Sequence, residues 1–173
     1  VSSMVQEAEA SQKRINEFLK IVPEIQNKNP EKSIIEGAIS FENVSYTYED
    51  TNIKALQNVT FTVHEGETLA ILGKTGSGKS TIISLISRLY DVTEGQITID
   101  NKEISKVNLF DLRNNIGIVP QDAFLFSDTI KNNIKFGKEE ASDEEVEAAA
   151  KSAVVHDNII GFNKQYDTIL GER

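Results

Sequence analysis

Eight residues between Gly73 and Ser80, Gly73-Lys74-Thr75-Gly76-Ser77-Gly78-Lys79-Ser80, are spaced as G-x-x-x-x-G-K-[ST]. Residue types in this order do one kind of chemistry. Glycines let backbone N–H groups turn toward a common point and approach an anion closely. Such a nest, followed by the positive end of a helix, favours a phosphate chain. The lysine, Lys79, can reach β- and γ-phosphates, and the hydroxyl of Ser80 can ligate Mg²⁺. Thr81 extends the set by one residue. A chance glycine-rich turn is the plainer reading, but the flanks argue against it. Thr68–Leu72 is an apolar run of strand length, and the residues after Ser80 place Ile82, Leu85, Ile86 and Leu89 on one helical face. Strand, glycine-rich turn and helix together predict a nucleoside triphosphate site.

The rest of the chain must hold that loop in place. Its 173 residues, 39% hydrophobic and 26% charged, are enough for one domain with a sizeable core. A net charge of −9 argues against nucleic-acid binding, which wants a basic surface. There is no cysteine, so disulfides and thiolate metal sites are excluded. No apolar run approaches the ~18 residues of a membrane span. The first residues, with Glu7 and Glu9 and no apolar stretch, do not read as a signal peptide.

From about Ser3 to Lys20 the pattern predicts an amphipathic helix, with Met4, Ala8, Ser11, Ile15, Phe18, Leu19 and Val22 near one stripe. It either packs on this domain or ends a longer helix. Pro23 stops it, and Asn27–Lys32 reads as a polar linker. Ile39–Tyr46 alternates as a strand with a change of phase near Asn43, where a bulge or break fits. Residues 49–52 form a turn, and Leu56, Val59, Phe61 and Val63 mark a second strand. After the loop unit come a short strand at Gly95–Ile99, a turn at Asn101–Lys102 and a helical turn at Leu109–Arg113. Ile116–Val119 reads as an apolar strand halted by Pro120. Helical patterns follow at 129–136, 142–153 and 156–162, with Ser142 and Glu145 spaced as a capping box.

In this order the pieces resemble the nucleotide-binding domain of ABC transporters, of the multidrug and lipid exporter type, from about Ile39 to Arg173. Phe41-Glu42-Asn43-Val44-Ser45-Tyr46-Thr47-Tyr48 resembles the opening strand and aromatic A-loop, and Val119-Pro120-Gln121-Asp122 the Q-loop. Phe124–Ile134 resembles the start of the helical subdomain, and Tyr166–Arg173 the segment that leads to the LSGGQ signature. The first helix, through Arg14–Leu19, resembles the cytoplasmic end of an exporter's last membrane helix. The implied fold is α/β: a P-loop NTPase core with an antiparallel β-subdomain and the beginning of a helical subdomain. Residues 1–33 would be helix and linker from a membrane domain, and 38–173 the N-terminal portion of the ATPase.

The resemblance assigns roles residue by residue. Tyr48 would stack on adenine, with Tyr46 as competitor and Ile53 a flanking contact. Gln121 would ligate Mg²⁺ with Ser80 and sense the γ-phosphate, sharing catalytic duty with Lys79. Gln121 could also be a polar loop residue after a proline. ATP and Mg²⁺ are the implied cofactors. The implied partners are a transmembrane domain and a second nucleotide-binding domain, at the cytoplasmic face of the inner membrane. A soluble ABC-type ATPase and a non-catalytic nucleotide-binding module are the alternatives. The signature, the Walker B aspartate with its glutamate, the D-loop and the switch histidine do not occur in these 173 residues. This stretch is therefore expected to bind nucleotide without turning it over. Thr68–Leu72, whose parallel neighbours come later in such folds, is expected to show unpaired edges. His64 and His156 have no metal-ligand spacing, and the acidic residues 139–145 read as a solvated helix start.

Overall fold

The computed structural model describes residues 2–122 and 124–171, with side chains from Val5 onward. Met4 in the predicted stripe, and Glu172 and Arg173 at the end of the last family-like segment, lie outside the described side chains. The chain divides into two compact units, Val1–Gly117 and Ile118–Arg173.

The first unit is built on an antiparallel sheet in the order β2-β1-β3-β4. Strand β1 spans Ile39–Tyr48 and β2 spans Ile53–Val63. Strand β3 spans Glu94–Ile99, and β4 is Lys102–Glu103. Strands β1 and β2 form a hairpin across the turn at 49–52. Its register sets Phe41 opposite Phe61, and the two rings stack at 4.4 Å between centroids. Cross-strand aromatic pairs of this kind stabilise a sheet by up to about 1 kcal/mol.

The expected break near Asn43 is a bulge. Register shifts fall between Phe41 and Val44 against β2, and between Glu42 and Ser45 against β3. Asn43 takes φ 49°, the left-handed region that asparagine tolerates best among non-glycine residues. Gly95 faces the bulge at φ +79°, and a Cβ there would collide with the Glu42 and Asn43 carbonyl oxygens. Only glycine allows β3 to close against the bulged strand.

One face of the sheet carries the core. Phe41, Val44, Ile97 and Ile99 meet Ile82 and Leu85 of helix α2, Lys79–Ile86, and Leu109 and Leu112 of helix α3, Leu109–Asn114. Phe41, Leu85 and Leu112 are fully buried. The predicted apolar face of α2 holds except for Leu89. The helix ends at Ile86, and Leu89 lies beyond it and is exposed. The turn expected at Asn101–Lys102 falls one residue earlier, because Lys102 pairs with Ile99.

Two predicted strands are not formed. Thr68–Leu72 and Ile116–Val119 have no strand pairing among the described residues. Leu72 is 92% exposed and Val119 98%. A strand of near-continuous apolar residues is stable only when both edges and both faces are covered. The unpaired edges expected for Thr68–Leu72 are therefore present.

Helix α1, Ser2–Leu19, has the predicted length but does not pack on the domain. Every side chain from Val5 to Val22 is exposed, including Ile15, Phe18 and Leu19. The stretch expected to be a polar linker, Asn27–Lys32, is tied down by bonds from Asn29 to the Lys106 carbonyl and from the Leu109 N–H to Asn27, and the segment after it is held too. Asp100 accepts hydrogen bonds from the backbone N–H groups of Glu36, Gly37 and Ala38 at 2.8, 3.0 and 2.9 Å.

The second unit is helical. Helices α4, Ile130–Lys135, α5, Asp143–Ser152, and α6, His156–Ile160, enclose a small core of Ile130, Ala150 and Ile159. Ser142 and Glu145 form the predicted capping box at the start of α5. The acidic side chains of the first turn of α5 are exposed, in the position that favours the helix dipole. His156 Nδ1 lies 2.8 Å from the Tyr166 hydroxyl, a contact that clasps α6 to the following turn.

Two predictions follow from the sheet. Gly95→Ala is expected to cost about 2–3 kcal/mol, because strain and a backbone collision add. A urea midpoint equal to that of the unaltered protein would contradict this reading of the bulge. Tyr46 is 7% exposed, and its burial, helped by Tyr90 and Tyr48, pushes its pKa from 10.0 to about 12. The folded state thus holds the proton more tightly than the unfolded state. That stability is present below pH 10 and lost as pH rises toward 12, up to about 2–3 kcal/mol. Tyr46→Phe should remove this part of the alkaline loss, as read from urea titrations at successive pH values.

Candidate nucleotide-binding site

The loop between Gly73 and Ser80 is shaped by two left-handed glycines, Gly76 at φ 78° and Gly78 at φ 86°. Gly78 is the N-cap of α2. A Cβ at Gly78 would lie 2.5 Å from the Ala55 carbonyl oxygen and 2.7 Å from a methyl carbon of Leu56. The loop is therefore pressed against β2, and no larger residue fits. At the other end, a Cβ on Gly73 would meet Ser77 Oγ at 2.5 Å. Gly73, Lys74, Thr75 and Ser77 stay exposed around the concavity.

Lys79 folds back across the loop. Its Nζ donates to the Gly73 carbonyl at 2.9 Å and the Lys74 carbonyl at 2.8 Å. An ammonium has three donors. Two of them hold the charge over the loop, and the third can be given to a phosphate oxygen. The next residue, Ser80, lies in the first turn of α2, and its exposed side chain offers a hard oxygen of the kind Mg²⁺ prefers. Among the described residues no cluster of histidine and acidic side chains could hold a metal by itself. A cation here would depend on Ser80 and on phosphate oxygens, which is how magnesium is usually held beside nucleotides.

The hairpin brings an aromatic ring to this loop. Tyr48 ends β1, and its hydroxyl lies 3.1 Å from Thr81 Oγ1 on α2. A cavity of about 290 Å³ is lined by Tyr48, Ile53 and Ala55 on one side and by Gly76 to Thr81 on the other. Tyr46, the competitor, points into the core and meets Tyr48 edge-on at 4.9 Å. Residues two apart share a face of a strand, so burial and not alternation separates the two tyrosines: Tyr46 lies in the core, whereas Tyr48 lines the cavity. The structure thus gathers Tyr48, Ile53 and the loop residues into one site. Gln121 sits on an exposed bend at the start of the second unit. The sequence contained no signal for the Ala55 carbonyl, which buttresses Gly78. Nor did it reveal that buried Thr81 braces the tyrosine rather than only extending the loop.

The family model described as ABC transporter matches residues 56–169. ATP-binding cassette sub-family B member 6 of Mus musculus is 51% identical over 137 residues, which is 79% of this chain and 16% of that protein. The ATP-dependent lipid A-core flippase of Syntrophus aciditrophicus (strain SB) is 39% identical over 174 residues, 99% of this chain and 29% of the flippase. A solved bacterial Atm1-family ABC exporter with ATP bound is similar with a TM-score of 0.89 at 36% identity, over 98% of this chain and 30% of the exporter. The chain spans less than a third of the length of these relatives. It belongs to the ABC transporter family, and its fold is that of the ATPase domain of an ABC exporter.

Proposed function

We propose that this chain is the ATP-binding part of an ABC exporter, which couples ATP binding and hydrolysis to transport of a substrate across a membrane. The observation that carries the reading is the cavity that joins Tyr48 and Ile53 to Gly76–Thr81. It has an apolar, aromatic end for a base and an N–H-rich, cationic end for phosphates. The base would stack on Tyr48, whose ring is oriented by the bond to Thr81. The phosphates would lie in the glycine turn, met by the remaining donor of Lys79. Ser80 would offer its hydroxyl to Mg²⁺, and the resemblance gives Gln121 the same role. Magnesium supplies charge neutralisation on the β- and γ-oxygens when bound. Lys79 and Gln121 are the catalytic residues of this reading. Calorimetry tests it. Lys79→Ala should weaken Mg-ATP binding far more than adenosine binding. Tyr48→Ala should cost about 1–3 kcal/mol toward both. Equal ATP affinity for Lys79→Ala and the unaltered protein would sink the phosphate assignment.

A transmembrane domain and a second nucleotide-binding domain complete the proposed assembly, at the cytoplasmic face of the inner membrane. Residues 1–33 would be the helix and linker that enter from the membrane domain. Helix α1 supports an exporter over a soluble ATPase, since its apolar side chains are exposed along its length. A surface for the membrane domain is proposed at 122–134. Phe124 and Phe126 meet edge-on at 5.0 Å, Phe126 packs on Phe136 at 4.7 Å, and Phe124, Leu125 and Phe136 stay more than half exposed. A contiguous apolar patch of this kind marks an interaction site. Cysteines placed at Ser127 or Asp128 should cross-link to cytoplasmic loops of the full transporter. No cross-link from either position would count against the docking surface.

A further inference from the structure

Helix α3 has two ends that do different things, and they are only a few residues apart. At its N-terminal end it holds the linker. The Asn108 side chain caps the helix by accepting from Phe110 and Asp111 N–H. The Asn108 backbone N–H donates to Ser33 Oγ at 3.1 Å, and its side-chain amide donates to the Asn29 carbonyl at 2.9 Å. Leu109 N–H donates to Asn27 Oδ1 at 3.0 Å. Asp111 accepts the Ser33 N–H at 2.6 Å. Asn29 returns a bond to the Lys106 carbonyl at 3.0 Å. Five hydrogen bonds between segments some 75 to 82 residues apart in sequence are not the pattern of a passive tether.

At its other end α3 holds the phosphate-loop helix. Arg113 donates from Nε to the Ser87 carbonyl at 3.2 Å and from Nη2 to the Arg88 carbonyl at 2.8 Å. These carbonyls end α2, where a cation is favoured by the dipole. The helix closes on Arg88 in the left-handed region, at φ 49°, where glycine is usual. That conformation is held because the Arg88 guanidinium is fully buried and bonded through Nε to Asp91 Oδ1 at 2.8 Å. The whole of α2 is eight residues, about 12 Å. Gly78 and Lys79 are at its far end.

We propose that Arg113 is a positioning residue for the phosphate loop, and that α3 couples the seating of the 27–33 strap to triphosphate affinity through it. The chemistry is a chain of directional bonds. The strap fixes Asn108 and Asp111, α3 carries that position over one turn to Arg113, and Arg113 sets the C-terminal end of α2. Since α2 is short and packed through Ile82 and Leu85, a shift at that end displaces the Gly78–Lys79 end as well. Only residues 20–26 separate α1 from the strap, so a displacement of α1 has a path to the phosphate loop that does not pass through the second unit. The proposal rests on the triphosphate assignment made above.

The test is a double-mutant cycle read by titration with Mg-ATP and with adenosine. Asp111→Ala releases the strap, and Arg113→Ala releases α2. Each is expected to weaken Mg-ATP at least about 5-fold, the lower end of ordinary coupling between sites, and to leave adenosine unchanged. The double variant should lose no more than the larger single loss, because both act through one element. Arg113→Lys should recover part of the affinity. Multiplying losses, or equal losses toward ATP and adenosine, would overturn the proposal. Hydrogen exchange of the unaltered protein gives an independent reading that needs no variant. Coupling is reciprocal, so saturating Mg-ATP must raise protection at the Ser33 and Asn108 amides. Unchanged protection there would also overturn it. The triphosphate assignment fails separately, through Lys79→Ala that binds Mg-ATP normally.

Discussion

The arrangement depends on one close approach. The Gly78 Cα rests against the Ala55 carbonyl and the Leu56 side chain of β2, at a distance no side chain could tolerate. This contact sets the glycine loop directly on the hairpin that carries Tyr48 and Ile53. With it, a flexible loop has a fixed wall, and the aromatic end of the cavity stands at a fixed distance from the end that holds phosphates. Leu56 is also a core residue, so the phosphate loop shares its foundation with Phe41, Ile82 and Leu85. A shift of β2 relative to α2 would therefore open the core and the site together. The positive φ at Gly78 is thus required twice, once by the turn and once by the packing.

Much of this was legible in local sequence. The glycine spacing, the bulge at Asn43, the hairpin turn and the capping box at Ser142 are all short-range features, and each is decided by residues within a few positions. Tyr48 was separable from Tyr46 through its place in the resembled motif and not through alternation, since residues two apart share a face of a strand. What was not legible is long-range. Asp100 accepting three consecutive N–H groups from 36–38 leaves no trace in the sequence beyond an aspartate in a turn. Asn27, Asn29 and Ser33 read as a polar linker because the same residue types serve both solvated loops and side-chain caps. The end of α2 was misplaced for a similar reason. Arg88 carries no turn signature, and its left-handed backbone is imposed by the burial of its guanidinium and its bond to Asp91 rather than by its own preference.

The segments Thr68–Leu72 and Ile116–Val119 show the opposite failure, where a sound local signal did not produce structure. Both have strand composition. An antiparallel hairpin supplies its own partner across a short turn, so β1 and β2 form from contiguous chain. A buried parallel strand needs neighbours delivered by crossovers, and its pattern is apolar on both faces because both are meant to be covered. Composition records the intended environment, whereas pairing records what is beside the strand. The exposure of Leu72 and Val119 is therefore information about missing contacts among the described residues, and not about a weak propensity.

The charge distribution shows how an acidic chain can hold a polyanion. The net charge is −9, yet several acidic side chains are held on backbone or cationic partners away from the glycine loop. Asp111 satisfies an N–H group of the strap and Asp100 those of 36–38, Asp91 neutralises Arg88, and Asp143 and Glu145 serve the start of α5. None of these carboxylates lines the cavity beside Tyr48, whereas Lys54 and Lys79 do. Screening limits surface charges to about 8–10 Å at physiological ionic strength. A phosphate chain in the loop would thus be governed by the near field of Lys79, the glycine N–H groups and the end of α2. The distant negative charge would act mainly on the rate of approach, which makes local geometry, set by Gly78 and the two ends of α2, the decisive term for affinity.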